Sequence, residues 1–124
     1  MNPQNIKTAA SESSERWDDV PIYRYIRLSM QHVSMQDALT LSYLSDQFDA
    51  QGIETHNWIL NTGPTNGFLI CLDSCEDALM QLEQRGVTQE LCNTIRLLTE
   101  TLSISMIHFD DTAAALKGIP VYEW

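Results

Sequence analysis

Basic residues are scarce in this chain. Seven Lys and Arg stand against 17 Asp and Glu, giving a formal net charge of −10, and only Lys7 and Lys117 are lysines. A surface that follows a phosphate backbone needs several cations along its path, so direct nucleic-acid binding is disfavoured. Long apolar runs are missing as well, which argues against a membrane-spanning helix. The opening stretch MNPQNIKTAASESSERWDD has no apolar segment behind its positive residue, as a secretory signal would require, so the expected location is the cytoplasm. Cysteines are sparse: Cys71, Cys75 and Cys92 form an odd set without a CxxC pair, and read as free thiols of a reducing compartment. Gly63 and Gly67 lack the Gly-Lys-Ser/Thr of a phosphate loop, and no GxSxG elbow presents a nucleophilic serine. His32, His56 and His108 lack zinc-site spacing. No metal and no cofactor are expected.

What remains is a folding chain. Apolar residues make up 44% and charged residues 19% of 124 residues, enough for one core. Residues 1–19 are polar and read as a flexible leader, with Trp17 placed to pin its end, and residues 20–124 read as a single domain. The run IYRYIRLSM from Ile22 alternates like a strand. In SMQDALTLSYLSDQFDAQG, Ser34 followed by Asp37 resembles a capping box, Ala38, Leu41, Leu44 and Phe48 share a helical face, and Gly52 is placed to end the helix. HNWILNT and GFLICL flank the turn-rich GPTNG and predict a hairpin. Asp73 and Ser74 offer caps for a short helix ending at Gly86, Thr88 opens a longer one along Leu91, Ile95, Leu98 and Leu102, and SISMIHF predicts the fourth strand.

The order β-α-β-β-α-α-β predicts an α+β, two-layer, ferredoxin-like fold, with helices on one face of a four-stranded sheet and the last strand beside the first. A three-layer α/β sheet is the alternative, and the hairpin weighs against it.

Two groups of residues are candidates for function. HFDDT, at the predicted end of the last strand, brings His108, Asp110 and Asp111 together in sequence, and with His32 they form a possible polar site for a small enzyme or metal-binding protein. Adjacent aspartates in an extended segment point to opposite faces, however, and one of them could simply cap the short TAAALKG segment as a helix. The other group is Tyr23, Tyr25 and Arg27 on the first strand, with Tyr122 and Trp124 in the tail IPVYEW. Tyr, Trp and Arg are the residues that concentrate at protein-protein contacts. The acidity could alternatively imitate DNA, but the acids are dispersed along the chain and would need to cluster strongly to match one charge per about 1.7 Å. Pro120 sets an extended path for the tail, and Trp124 either closes the core or anchors a partner.

The segments RLSMQHVSMQD, GFLICL, IHFDD and LKGIPVYEW resemble a family of short acidic bacterial proteins of unknown function, encoded on plasmids and integrated mobile elements. Leu28, Ser29 and His32 match a Leu-Ser-x-x-His element, and Pro120, Tyr122, Glu123 and Trp124 match a terminal Pro-x-aromatic-acid-Trp, with Ile119 in place of Leu. The resemblance spans most of residues 22–124 and leaves the leader without a counterpart. It implies an accessory protein of a mobile element. The expected partner is then a bacterial host protein, bound and blocked without catalysis, for example a defence-system component. An immunity or antitoxin-type protein fits the acidic balance equally well.

Overall fold

The computed structural model describes residues 17–63 and 67–124. Most of the expected leader (residues 1–16) and the middle of the hairpin turn (residues 64–66) lie outside the described residues. The fold is α+β, with strands β1 (Tyr25–Ser29), β2 (Ile59–Asn61), β3 (Gly67–Cys71) and β4 (Met106–Asp110), and helices α1 (Met35–Ser45), α2 (Ala78–Gln84) and α3 (Gln89–Leu102). Chain order is the predicted β-α-β-β-α-α-β.

One sheet holds all four strands in the spatial order β1-β4-β3-β2. As expected, β4 lies beside β1, and the two run parallel from Tyr25 opposite Met106 to Ser29 opposite Asp110. β4 also pairs antiparallel with β3, so it takes the inner position that a strict ferredoxin order gives to the first strand. Burial explains the exchange: β1 keeps Tyr25 and Arg27 exposed, and a charged, solvated strand suits a sheet edge better than its centre.

Strand alternation divides the sheet into two faces. Leu28, Ile59, Phe68, Ile70, Ile107 and Phe109 are buried on one face and join Leu41 and Leu44 of α1, Leu82 of α2, and Leu91, Ile95 and Leu98 of α3 in one core. The opposite face carries Tyr25, Arg27, Leu60, Leu69 and His108 at exposed or half-buried positions. Gly67 is obligatory where β3 meets β4, because a Cβ there would stand 2.5 Å from the Phe109 carbonyl oxygen and 2.6 Å from Thr62 Oγ1.

Several boundaries differ from the sequence pattern for local reasons. Helix α1 stops at Ser45, before Phe48, because the Asp49 carboxylate accepts from the N–H groups of Gln51 and Ile53 and stabilises a turn in competition with the helix. Helix α2 begins after Asp77, which is left-handed at φ 55°, while Leu72–Ser74 form a separate 3-10 turn. Ser103, left-handed at φ 52°, ends α3 and delays β4 to Met106. The TAAALKG segment is not helical. Trp17 sits in a 3-10 turn and is 64% exposed, so its ring is not part of the core. Among the described residues no helix is long and apolar enough to cross a membrane.

Candidate functional site

The tail is positioned by the turn that follows β1. Ser29 ends that strand, and its hydroxyl accepts from Gln31 N–H to form the 3-10 turn Met30–His32. The loop leaving β4 folds back onto this turn, with Ser29 N–H donating to the Ala114 carbonyl at 3.1 Å. His32 then joins loop and tail. Its Nε2 accepts from Leu116 N–H at 2.9 Å and its Nδ1 faces the Pro120 carbonyl at 2.8 Å. An amide N–H can only donate and a carbonyl can only accept, so the ring proton resides on Nδ1. Tyr122 N–H donates to the Gln31 carbonyl at 2.8 Å, and the Trp124 indole N–H donates to the Val33 carbonyl at 2.9 Å. His32 is buried beneath these contacts, whereas Trp124 remains 55% exposed. The tail therefore docks on its own chain without hiding its last side chain.

Two depressions flank Trp124. A cleft of about 420 Å³ is bounded by Met30, Gln31, Asp111, Tyr122, Glu123 and Trp124. A smaller groove of about 200 Å³ runs between Met35 and Leu39 of α1, Phe68 of β3, and the same Met30 and Trp124.

The open sheet face holds a separate polar network. Tyr25 Oη lies 2.6 Å from His108 Nδ1, with the two rings tilted by 48°. His108 Nε2 is buried without a hydrogen-bond partner among the described residues. Next to this pair, Arg27 Nε meets the Asp110 carboxylate at 3.1 Å, and another guanidinium nitrogen donates to Thr112 Oγ1 at 3.2 Å. Thr112 donates to Asp110 Oδ1 from both its N–H and its hydroxyl, each at 3.1 Å. The N–H of Thr112 is the main reason the Asp110 carboxyl is held below its ordinary range, against the opposing effect of burial. The Thr112 hydroxyl, Arg27 and His108 add to the lowering.

These contacts separate the four residues expected to form one polar site. His32 belongs to the tail clasp, His108 and Asp110 to the sheet-face network, and Asp111 to the cleft beside Trp124. Among the described residues no group of three or more His, Cys, Asp or Glu could hold a metal ion. The cysteines are free, and burial is the first cause that pushes each thiol up, the opposite direction from the lowering that favours a reactive thiolate. Of the expected contact residues, Tyr23 and Tyr25 are about half exposed, Tyr122 is half-buried, and Trp124 is held in place by Val33.

Two features escape a reading by pattern. Asp37, expected as the second member of a capping box, donates its N–H to Ser34 Oγ but turns its carboxylate to Thr88, where it accepts from the N–H at 2.8 Å and from the hydroxyl at 2.5 Å. It thereby ties the start of α1 to the start of α3. The other is the outward stripe of α1, where Met35, Leu39 and Tyr43 are 52%, 66% and 66% exposed. Their spacing of four was the available signal.

The family model described as "Family of unknown function (DUF5983) C-terminal domain" matches residues 25–124. The chain belongs to this family. The match begins at the first residue of β1 and takes in the whole sheet, the three helices and the tail. No curated protein and no solved structure matches the chain.

Proposed function

We propose that this member of the family is a non-enzymatic protein-binding accessory, acting by occupying a bacterial host protein, such as a component of a defence system, in the service of a mobile element. The observation that supports the reading is a division of labour. His32 and Asp110 have their hydrogen-bonding capacity taken up by contacts within the chain, while large apolar side chains at Met35, Leu39, Tyr43 and Trp124 stand at the surface. Buried, satisfied polar groups stabilise a fold, and contiguous exposed apolar ones favour association.

The test is affinity capture from nuclease-treated bacterial lysate with the intact chain, followed by reconstitution of the purified pair. A stable stoichiometric complex that reduces the activity of the captured host protein supports the proposal. Failure to capture any protein, or turnover of a substrate by the chain itself, overturns it. Capture of a toxin neutralised by the complex would instead identify an immunity or antitoxin-type protein.

A further inference from the structure

No buried apolar residue lies beyond Phe109 in chain order, and from Ala113 to Trp124 every residue is exposed or half-buried. Leu116, half-buried, packs against the core, but the last stretch of chain has no side chain sunk into it. Its attachment therefore depends on hydrogen bonds to the turn after β1: Ala114 to Ser29, Leu116 and Pro120 to His32, Tyr122 to Gln31, and Trp124 to Val33. Two of these pass through one imidazole. A segment held in this way can leave without the sheet unfolding.

The ring between Leu116 and Pro120 fits in one protonation state. Its Nδ1–H donates to the Pro120 carbonyl at 2.8 Å, and the lone pair on Nε2 accepts from Leu116 N–H at 2.9 Å. A second proton would occupy Nε2 and face the Leu116 N–H, donor against donor. The resulting charge would sit on a side chain that is 2% exposed. Histidine is the side chain that takes up a proton between about pH 5 and 8.

We propose that His32 is an acid-sensitive latch, in which a proton taken from solvent at Nε2 releases residues 113–124 from the turn after β1. The docked form holds the neutral ring and the released form accepts the proton, so docking is complete on the alkaline side and declines as pH falls. Among the described residues, the titratable groups on neighbouring elements are Asp37, Asp110, Asp111, Lys117, Tyr122 and Glu123. Asp37 is engaged by Thr88, and Asp110 by Arg27 and Thr112. A carboxylate near the ring favours its charged form, but Nε2–H must still displace the Leu116 N–H to reach one. Release also carries away Trp124, the wall shared by the cleft and the groove. The latch stands whether or not the chain acts by binding a host protein.

The test follows the isotope-labelled full chain by nuclear magnetic resonance between about pH 7.5 and about pH 5.5. Imidazole nitrogen shifts report the state of His32, and hydrogen-exchange protection factors report the amides of Leu116 and Tyr122, with Ile70 and Phe109 in the central strands as reference. As the ring changes from the neutral Nδ1–H form to the charged form, protection at Leu116 and Tyr122 is expected to fall about tenfold or more while the reference amides keep theirs. His32→Gln, which offers a neutral donor and acceptor, should remove this dependence on pH, and His108→Gln should leave it in place. A ring that stays neutral at the acidic end, a charged ring under a tail that stays protected, or tail and reference amides released together would each overturn the proposal. So would a pH response that survives His32→Gln. The ring and amide signals of the unmodified chain decide the matter even where His32→Gln does not dock its tail.

Discussion

The tail clasp and the open sheet face are made from the same residue types and use them differently. In the clasp, both ring nitrogens of His32 meet backbone groups and the ring is buried. On the sheet face, His108 has one nitrogen beside Tyr25 and the other without a partner among the described residues, next to an exposed Arg27. Backbone partners are fixed by the fold, whereas a tyrosine hydroxyl and a guanidinium can swing away without unfolding anything. The clasp is therefore a structural device that leaves an apolar surface behind it, and the sheet face is a polar surface whose contacts can be exchanged.

Removing His32 tests this difference most severely. His32→Ala leaves the Leu116 N–H and the Pro120 carbonyl without their partner and empties a buried volume, which together should lower stability by about 3 kcal/mol. Denaturant unfolding measures the loss, and exchange of the Leu116 and Tyr122 amides with solvent shows whether the tail has come free. A loss below about 1 kcal/mol, the level of one ordinary hydrogen bond, would mean that the clasp does not hold the tail. Trp124→Ala removes a half-exposed ring and one hydrogen bond, so about 1.5 kcal/mol is expected from the partial burial. The same unfolding measurement checks it, and the Leu116 amide should stay protected because His32 still holds the loop.

The two regions were legible to different degrees. Alternation in IYRYIRLSM located β1, the turn-rich GPTNG ahead of GFLICL located β3, and Ser34 and Thr88 marked the starts of α1 and α3 because a side-chain cap is a local interaction. Which strand lies in the middle was not legible, since β1 and β4 both alternate and only pairing with β3 distinguishes them. The role of His32 depends on Leu116 and Pro120, 84 and 88 residues away, and no local pattern encodes such a contact. Asp110 and Asp111 were adjacent in sequence and plausible as a pair, but the turn closed by Thr112 and the ion pair with Arg27 hold Asp110 in the sheet-face network while Asp111 lines the cleft. A tryptophan in a docked tail was expected either to close the core or to anchor a partner, and its half-exposed wall position is compatible with parts of both.

Acidification should distinguish the polar sheet face from the clasp. The folded pKa of Asp110 is lowered, so its contribution to stability is fully present above the unfolded value of about 3.9 and is lost as pH falls through the lower folded value. Asp110→Asn should remove that part of the acid-induced loss and flatten stability against pH in this range. Unfolding midpoints measured at a series of acidic pH values check it. An unchanged slope would show that Arg27 and Thr112 do not favour the ionised carboxyl.

Tyr25→Phe is expected to have the smallest effect. The hydroxyl it removes sits at the exposed edge of the sheet, where water can replace it at His108 Nδ1, so the loss should be about 0.5 kcal/mol. The aromatic body remains in place against the His108 ring, whose centroid is 5.9 Å away. His108 Nε2 is buried without a partner among the described residues, so a loss of about 2 kcal/mol or more would mean that the Tyr25 hydroxyl fixes the ring as firmly as the backbone fixes His32. Binding gives the second readout. If the groove beside Trp124 is the contact surface, Tyr25→Phe should leave capture of the host protein unchanged while Leu39→Ser reduces it. The opposite pattern would move the interface to the polar face, because only there could one hydroxyl contribute to recognition without contributing to the fold.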